Sequence, residues 1–551
     1  VLDRTQHYGM ETYSGTVDQM AAIGNIFPVF FFLVSALVCL TTMTRMIDEE
    51  RGQIGILRAL GYTQFQCAFK YLFYAFSATL IGCIIGSIIG TLTFPKIIYE
   101  SWKMLYIEPD MHLYIPFHLI IIATISFLIV MCFTTYYVCH QSMKEVPSQL
   151  LRPASPKLGK STFIEHIGFI WNHLSFTWKV TVRNLLRYKR RLIMTVIGVG
   201  GCSALMVIGF GIRDSINQMV KLQFTDITHY DGSAKINAEI SSEDKKTLIE
   251  KVNADKEAAS NLTAVSYTGI VTFNDEDETV LTQVFENNAE IEQLYTLRTR
   301  KGHQPIPLTD EGIIISEKLS EDLNIHTGDT VTIESKKGIR KKVQVSGICE
   351  MYIQHYAFIS KPLYEKLFDT TLEDDTMFIT CSTDDSTHLQ KMLANDSHID
   401  SISFYDVTLE NFNQMVSTLN YIIIVLIVSS MALAFVVLGN LMNINISERQ
   451  REIATLKVLG FRKKEVQSYV YKENNVLTLL GAVAGLPLGI AIHHWIMREL
   501  QFSYVMYGVD VMPLSLFLSV ILTAAFGIFV NLLMRKKLSA IAMVESLKSV
   551  E

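Results

Sequence analysis

The sequence predicts a polytopic α-helical membrane protein with seven spans and an α+β extracytoplasmic domain, its N-terminus outside and its C-terminus inside. Three observations carry this. The chain has 551 residues, of which 49% are hydrophobic, and its mean hydropathy is +0.27, too apolar for a soluble protein of this length. The apolar residues are gathered into separate runs, each near the roughly 20 residues that cross a bilayer. A short charged stretch also occurs twice, each time between two such runs.

The runs are Ile26 to Thr44, Tyr71 to Leu92, Ile115 to Cys139, Leu192 to Ile212, Tyr421 to Leu441, Asn474 to His494 and Pro513 to Met534. Orientation follows from Lys and Arg in the short loops, which favour the cytoplasmic side. Arg45, Arg51, Arg58 and Lys70 follow the first span. Lys179, Arg183, Arg187 and Lys189 to Arg191 follow the third, and Arg449, Arg451, Lys457 and Arg462 to Lys464 the fifth. The opposite loops are poor in both residues. The outer loops instead hold Tyr99, Trp102 and Tyr106 in one half and Trp495, Tyr504 and Tyr507 in the other, which suits an interfacial belt. Residues 1–25 are polar, lie outside and follow no signal peptide. They read as the end of a truncated extracytoplasmic segment, and an earlier span and domain would restore the symmetry of the two halves.

The repeated stretch is Glu49-Glu50-Arg51-Gly52-Gln53-Ile54 to Leu57-Arg58-Ala59-Leu60-Gly61-Tyr62. It returns as Glu448-Arg449-Gln450-Arg451-Glu452-Ile453 to Leu456-Lys457-Val458-Leu459-Gly460-Phe461. The register continues without a gap into the next run, where Gly82, Gly86 and Gly90 match Gly481, Gly485 and Gly489, every pair 399 residues apart. This is an internal duplication. Ile54, Leu57 and Leu60, like Ile453, Leu456 and Leu459, recur at helical spacing among charges. Each copy is therefore expected as a short amphipathic helix against the polar edge of the membrane. Gly61 and Gly460 stand where a C′ glycine stops a helix. Thr63 to Gln66 has capping-box spacing, whereas Arg462 to Glu465 lacks the hydroxyl. The glycines form a small-xxx-small face for close helix packing, within one half or between halves.

The boundaries that follow are 26–152 for the first membrane unit, 153–191 for a cytoplasmic linker, and 192–212 for a single span. The outer domain is 213–415 and the second membrane unit is 416–551. In the linker, Ala154 to Ser161 approximates a phosphate-binding loop but lacks the first glycine, contains Pro156 and follows no strand, so it reads as a basic linker. Lys179 to Arg191 is expected as an interfacial helix drawn to anionic membrane lipid. A net charge of −6 gives no electrostatic case for nucleic acid. In the outer domain, helical stalks are expected at Asp214 to Phe224 and Leu409 to Leu419. Strands are expected at Ile313 to Ile315, Thr330 to Ile333, Lys341 to Ser346 and Ile399 to Phe404, with a hairpin turn at Lys336 to Gly338. Helices are expected at Glu317 to Leu323 and after the Ser360 cap. Glu373 to Asp375 reads as a solvated acidic loop, and His229 and His355 as isolated. Only Cys349 and Cys381 lie where a disulfide could form. No catalytic or metal constellation emerges.

These residues carry a resemblance. The repeated Glu-Arg-x-x-Glu-Ile-x-x-Leu-[Lys/Arg]-x-Leu-Gly, the glycine-rich span after it and Arg183-Asn184-Leu185-Leu186-Arg187 look like the FtsX/MacB-like permeases, membrane subunits of type VII ABC transporters. Glu311-Gly312-Ile313 to Ile333 is similar to their extracytoplasmic domain, and Val146 to Arg152 resembles their usual C-terminal segment. Two such units in one chain resemble the large bacterial permeases, which implies the bacterial plasma membrane. The first copy departs from the pattern at Gly52, Gln53 and Tyr74, where the second has Arg451, Glu452 and Glu473.

The resemblance implies a chain that is not itself an enzyme and binds no cofactor. A separate cytoplasmic ABC ATPase dimer, carrying ATP and Mg, is expected to seat on Glu49, Arg51, Gln53, Leu57, Arg58 and Gly61 and on Glu448, Arg451, Glu452, Leu456, Lys457 and Gly460. ATP-driven closure is then expected to move the outer domain, to export or extract a lipophilic or peptide substrate with an extracytoplasmic accessory protein. The alternative is a non-transporting mechanotransmission regulator of a cell-wall hydrolase or sensor.

Overall fold

The computed structural model describes residues 8–102, 114–144, 189–382, 386–448, 450–499 and 505–535, with a few isolated residues between 173 and 186. It divides into two compact units. One is formed by Val1–Asp214, Thr418–Ile496 and Asp510–Glu551, the other by Ser215–Ser417 and Met497–Val509. The phosphate-loop-like stretch and most of Lys179 to Arg191 lie outside the described residues.

The first unit opens with α1 (Tyr8–Glu49), α2 (Arg51–Ala59), α3 (Gln64–Trp102) and α4 (Phe117–Ser142), followed by α5 (Lys189–Lys221). Every helix expected to span is present, and all seven candidate spans are long and apolar enough to cross a membrane. Helix is the structure such sequences must take, because in lipid only internal hydrogen bonds satisfy the backbone. Several helices outrun the apolar segments that identify them: α1 starts at Tyr8 rather than Ile26, and α3 continues to Trp102. Bilayer thickness limits the apolar run, not the helix that carries it. The core of the first half joins Met43 and Ile47 of α1, Ile54 of α2, Cys67 and Tyr71 of α3, and Val138 and Cys139 of α4.

The second unit holds α6 (Ser242–Asn253), α7 (Asn288–Leu294), α8 (Glu317–Leu323), α9 (Lys361–Phe368) and α10 (Thr387–Ala394) with a nine-stranded sheet. Its strands are β1 (Gly232–Ile236), β2 (Ala258–Phe273), β3 (Glu276–Phe285), β4 (Ile313–Ser316), β5 (Thr330–Glu334), β6 (Arg340–Cys349), β7 (Tyr356–Ser360), β8 (Thr376–Cys381) and β9 (Ile399–Phe404). The order is β3-β7-β4-β6-β5-β2-β8-β1-β9, and β3 also pairs with β2. Six strands thus close into a ring, and the long β2 serves two neighbourhoods. Its first half, Ala258 to Ala264, pairs with β8 and its second half, Val265 to Phe273, with β3. The ring is filled by Val265, Val280, Ile313, Val331, Val345 and Ile359, among others. A second core under β1, β8 and β9 joins Ala234, Met377 and Ile379 to Leu248 and Val252 of α6 and Leu389 and Leu393 of α10.

The expected strands and helices of this unit all form, and Ser360 Oγ accepts the Leu363 N–H as an N-cap. The sequence reading missed β1, β7 and β8, and also β2 and β3. The turn between the latter two is Asn274-Asp275 with φ of 51° and 66°, a hairpin signal that was legible. The acidic run is not a solvated loop. Asp375 is buried between Lys235 and Lys336, at 2.8 and 2.5 Å. Burial alone raises its carboxyl, but hydrogen bonds from the two lysines outweigh it and hold the group below the usual carboxylate range. His355 is buried beside Asp322, 3.6 Å away, and Glu278 at 4.0 Å. His229 shares a 2.6 Å hydrogen bond with Thr296. Cys349 and Cys381 form no disulfide with each other: they lie on β6 and β8, which are not neighbours in the sheet.

The chain returns to the first unit through α11 (Tyr405–Glu448), α12 (Gln450–Val458), α13 (Lys463–Glu499) and α14 (Pro513–Leu533). Their core gathers Val199 and Cys202 of α5, Leu438 and Met442 of α11, Ile453 of α12, Val466 and Val470 of α13, Val530 of α14 and Val34 of α1. Asn440 Nδ2 lies 3.4 Å from Thr41 Oγ1 and 3.0 Å from Thr42 Oγ1. Thr41 and Asn440 are the same position of the duplication. Equivalent positions of α1 and α11 therefore meet across the two halves.

Candidate functional site: the repeated turn

The repeated stretch folds the same way twice. In each copy a long helix ends, a nine-residue helix follows, and a left-handed glycine turns the chain into the next span. Gly61 has φ of 93° and Gly460 of 89°. A side chain is strained there, which is why both copies keep glycine. The backbone closes with the same pair of bonds. Gly61 N–H donates to Arg58 O at 3.2 Å and Tyr62 N–H to Leu57 O at 3.1 Å. Gly460 N–H donates to Lys457 O at 3.2 Å and Phe461 N–H to Leu456 O at 3.1 Å. This double closure is a Schellman motif.

The start of the following helix also repeats, with one difference. Thr63 N–H donates to Gln66 Oε1 at 2.9 Å, and Gln66 N–H to Thr63 Oγ1 at 3.3 Å, a full capping box. In the second copy Arg462 N–H donates to Glu465 Oε2 at 2.7 Å, so half the box survives without the hydroxyl.

The apolar stripe of the short helix divides. Ile54 and Ile453 are buried and anchor each helix to its own half. Leu60 and Leu459 stand out at 71% and 70% exposed, with Tyr62 and Phe461 beside them at 49% and 48%. Leu57 is exposed, whereas Leu456 is partly buried. The expected continuous face of Ile54, Leu57 and Leu60 is broken, because the glycine turn ends the helix before its last residue can fold back on the anchor. Each copy thus presents an apolar knob surrounded by charge. Glu49 pairs with Arg45 at 3.2 Å, Arg58 Nη1 donates to Tyr62 O at 3.3 Å, and Gln53 is exposed. Lys457 is half-buried, Glu448 ends α11, and Arg451 and Glu452 sit in the first turn of α12.

Sequence reasoning missed one feature of the first copy. Glu50, the residue before α2, accepts from Lys70 Nζ at 2.6 Å and from Tyr71 Oη at 2.7 Å. Lys70, then Tyr71, holds the Glu50 carboxyl below the usual range. The second copy has Arg449, Tyr469 and Val470 at these positions, so this clamp belongs to one half alone. Another departure is geometric as well as chemical. Tyr74 is 50% exposed, while Glu473 is 1% exposed within α13. Beside Glu473, Asn474 donates to Asn531 at 2.7 Å and Asn531 to Asn475 at 2.6 Å, tying α13 to α14.

The two glycine ladders differ most. A Cβ on Gly481 would stand 2.7 Å from Val199 Cβ, on Gly485 2.4 Å from Gly200 O, and on Gly489 2.7 Å from Val207 Cβ. No real Cβ tolerates such distances, so these glycines let α5 lie against α13. Ser203 Oγ donates to Ala482 O at 3.0 Å across the same seam. Among the described residues, a Cβ on Gly82 or Gly86 would meet nothing within 4 Å, and one on Gly90 only the ring of Phe94.

Comparison with known proteins agrees with this architecture. The FtsX-like permease C-terminal pattern matches residues 25–146 and again 424–542, and the MacB-like periplasmic core domain matches 192–395. An uncharacterized ABC transporter permease of Methanocaldococcus jannaschii is 26% identical over 184 residues, 31% of this chain and 44% of that relative. The chain therefore matches less than half the length of that protein. Two solved structures are similar to about a third of the chain, each 13% identical with a TM-score of 0.22. The periplasmic region of MacB from Actinobacillus actinomycetemcomitans is covered over 94% of its length, with 34% of this chain. The extracellular domain of the ABC-type transporter YknZ from Gram-positive bacteria is covered over 98%, with 32% of this chain. With two FtsX units around a MacB-like domain, the chain belongs to the FtsX/MacB-like permeases, multi-pass plasma-membrane components of ABC transporters.

Proposed function

We propose that this chain is the transmission subunit of an ABC transporter: a separate cytoplasmic ATPase dimer seats on the two repeated turns, and its closure on ATP moves the sheet domain. The observation that carries this is the paired knob. Leu60 with Tyr62 and Leu459 with Phe461 project from identically closed turns on rigid helices, and an exposed apolar side chain held this way twice fits a partner's groove. The Lys and Arg bias of the loops supports a cytoplasmic position for both turns and the C-terminus and an outside position for the sheet domain. α5 and α11 enter and leave that domain as unbroken helices, stiff enough to carry motion. ATP and Mg belong to the partner.

The substrate class favoured is a lipophilic or peptide molecule exported or extracted at the outer face, with an extracytoplasmic accessory protein. The filled ring of six strands supports a domain that moves as a body rather than one that holds cargo in a lumen. Charge reversal of both Arg451 and Glu452 tests the coupling. The folded double variant is expected to keep its place in the membrane while ATP hydrolysis by the partner loses its dependence on the permease. Unchanged coupled hydrolysis in that variant would remove the reading.

A further inference from the structure

We propose that Asp255, Glu257 and His388 form a divalent transition-metal site on the sheet domain, with Zn²⁺ as the ion that fits it best.

Asp255 and Glu257 stand in the short connection from α6 to β2, and His388 in the first turn of α10. Asp255 and His388 are 133 residues apart in the chain, so their spacing gives no sequence signal. The fold brings the three together. One ligand atom from each, an oxygen from both carboxylates and a nitrogen from the imidazole, lie within 4.8 Å of one another. His388 Nδ1 and Asp255 Oδ2 are 3.0 Å apart. Donors about 2.0–2.2 Å from one zinc ion, at tetrahedral angles, stand roughly 3.3 Å from each other. Small side-chain movements therefore close the three around an ion.

The supports of these side chains match a ligand set. Each carboxylate uses one oxygen on a backbone N–H. Asp255 Oδ1 accepts from Glu257 N–H and Glu257 Oε2 from Leu389 N–H, both at 2.9 Å. Among the described residues, only His388 meets Asp255 Oδ2 from a side chain, and no donor reaches Glu257 Oε1. Hydrogen bonds of this kind orient ligating carboxylates. The connection itself is pinned to the end of β8, where Ser382 N–H donates to Glu257 O and Ser382 Oγ to Lys256 O, each at 2.7 Å. The Asp255 side chain is 8% exposed, so its charge lies largely out of water, where a cation stabilises it. His388, 73% exposed, leaves the entry open and room for water as a further ligand.

The donor set selects the ion. Two carboxylates and a neutral imidazole balance two positive charges. Ca²⁺ and Mg²⁺ take six or more oxygen ligands, whereas imidazole suits zinc. Binding displaces the proton shared by Nδ1 and Oδ2, and the ring then carries its proton on Nε2, open to water. Residues 213–415 hold 35 Asp and Glu against 19 Lys and Arg, so the field of the domain draws cations in. A bound ion fastens the start of β2 to α10, beside the core under β1, β8 and β9 from which α11 leaves.

The test uses the full chain in detergent, stripped with a chelator, dialysed and titrated with Zn²⁺ at neutral pH while bound metal is counted. The expected result is a site filled by micromolar Zn²⁺ that His388→Ala and, separately, Glu257→Gln weaken at least tenfold. Gln can still accept the Leu389 N–H, and the metal-free melting temperatures of both variants should match that of the unaltered chain, so loss of fold does not decide the outcome. Co²⁺ in place of Zn²⁺ is expected to give visible d–d absorption that disappears in His388→Ala. No retained Zn²⁺, Zn²⁺ held equally well by both variants, or its displacement by equimolar Ca²⁺ would each overturn the proposal.

Discussion

The two membrane halves descend from one pattern, yet their glycine faces live differently. Gly481, Gly485 and Gly489 are pressed against α5 at distances that exclude any side chain, while a Cβ on Gly82 or Gly86 would meet none of the described residues within 4 Å. The difference teaches that a small-xxx-small face marks a capacity for close packing and does not say what fills it. The turns behave in the opposite way. Their closure, left-handed glycine and exposed knob agree between copies almost bond for bond. The exposed turns are alike in the two halves, and the glycine faces of the spans that follow them are not.

The largest effect is expected from breaking the packed ladder. Gly485→Leu drives a side chain into the Gly200 carbonyl, an overpacking that neither backbone can relieve, at a cost of more than about 3 kcal/mol. The variant should lose its monodisperse peak in detergent. Gly86→Leu meets open space among the described residues and should leave that peak and the melting temperature in place. Equal losses in both variants would erase the distinction between the ladders.

Next come the knobs, where the two halves should respond together. Leu60→Asp and Leu459→Asp alter exposed residues, so folding is expected to persist while stimulation of the partner ATPase falls about tenfold, near the 1.4 kcal/mol or more that a buried apolar anchor contributes. Measuring the two variants separately sharpens the comparison, since a much larger fall for one shows that the two ATPase contacts are unequal.

Glu473→Ala removes a fully buried polar group and should destabilise the second half by about 2–3 kcal/mol. Tyr74→Ala, at the matching exposed position, should cost under about 0.5 kcal/mol. A paired thermal melt reads both. The Glu50 clamp gives the one effect that depends on pH. Tyr71→Phe removes one hydrogen bond to a carboxylate and should cost about 1–2 kcal/mol at neutral pH. Because the folded Glu50 value is lowered, the clamp's contribution is fully present above the ordinary value of 4.5 and is lost as pH falls through the lower folded value. The cost of Tyr71→Phe should therefore shrink in melts taken toward pH 3. The second half has Val470 there, and Val470→Ala should show no such pH dependence.

Much of the architecture was determined by the sequence itself. A bilayer demands runs of fixed apolar length, so the spans were legible from composition, and the glycine after each repeated helix announced its turn because few other residues accept that backbone. Helix starts at Ser360 and Thr63 and the strands around Thr327-Gly328-Asp329 were legible for the same local reason. What the tertiary structure alone decided involves residues far apart in the chain. Asp375 lies in an acidic run that reads as solvated, and only the approach of Lys235 and Lys336 makes it a buried ion-pair centre. The long β2 was missed because its two halves serve different cores, which blurs the alternation that identifies a strand. Leu57 and Leu60 share helical spacing with Ile54, but only Ile54 is buried, since where a helix stops determines which of its residues reach a core. The two glycine ladders are indistinguishable in sequence, and they differ because packing depends on what a second helix brings to the face.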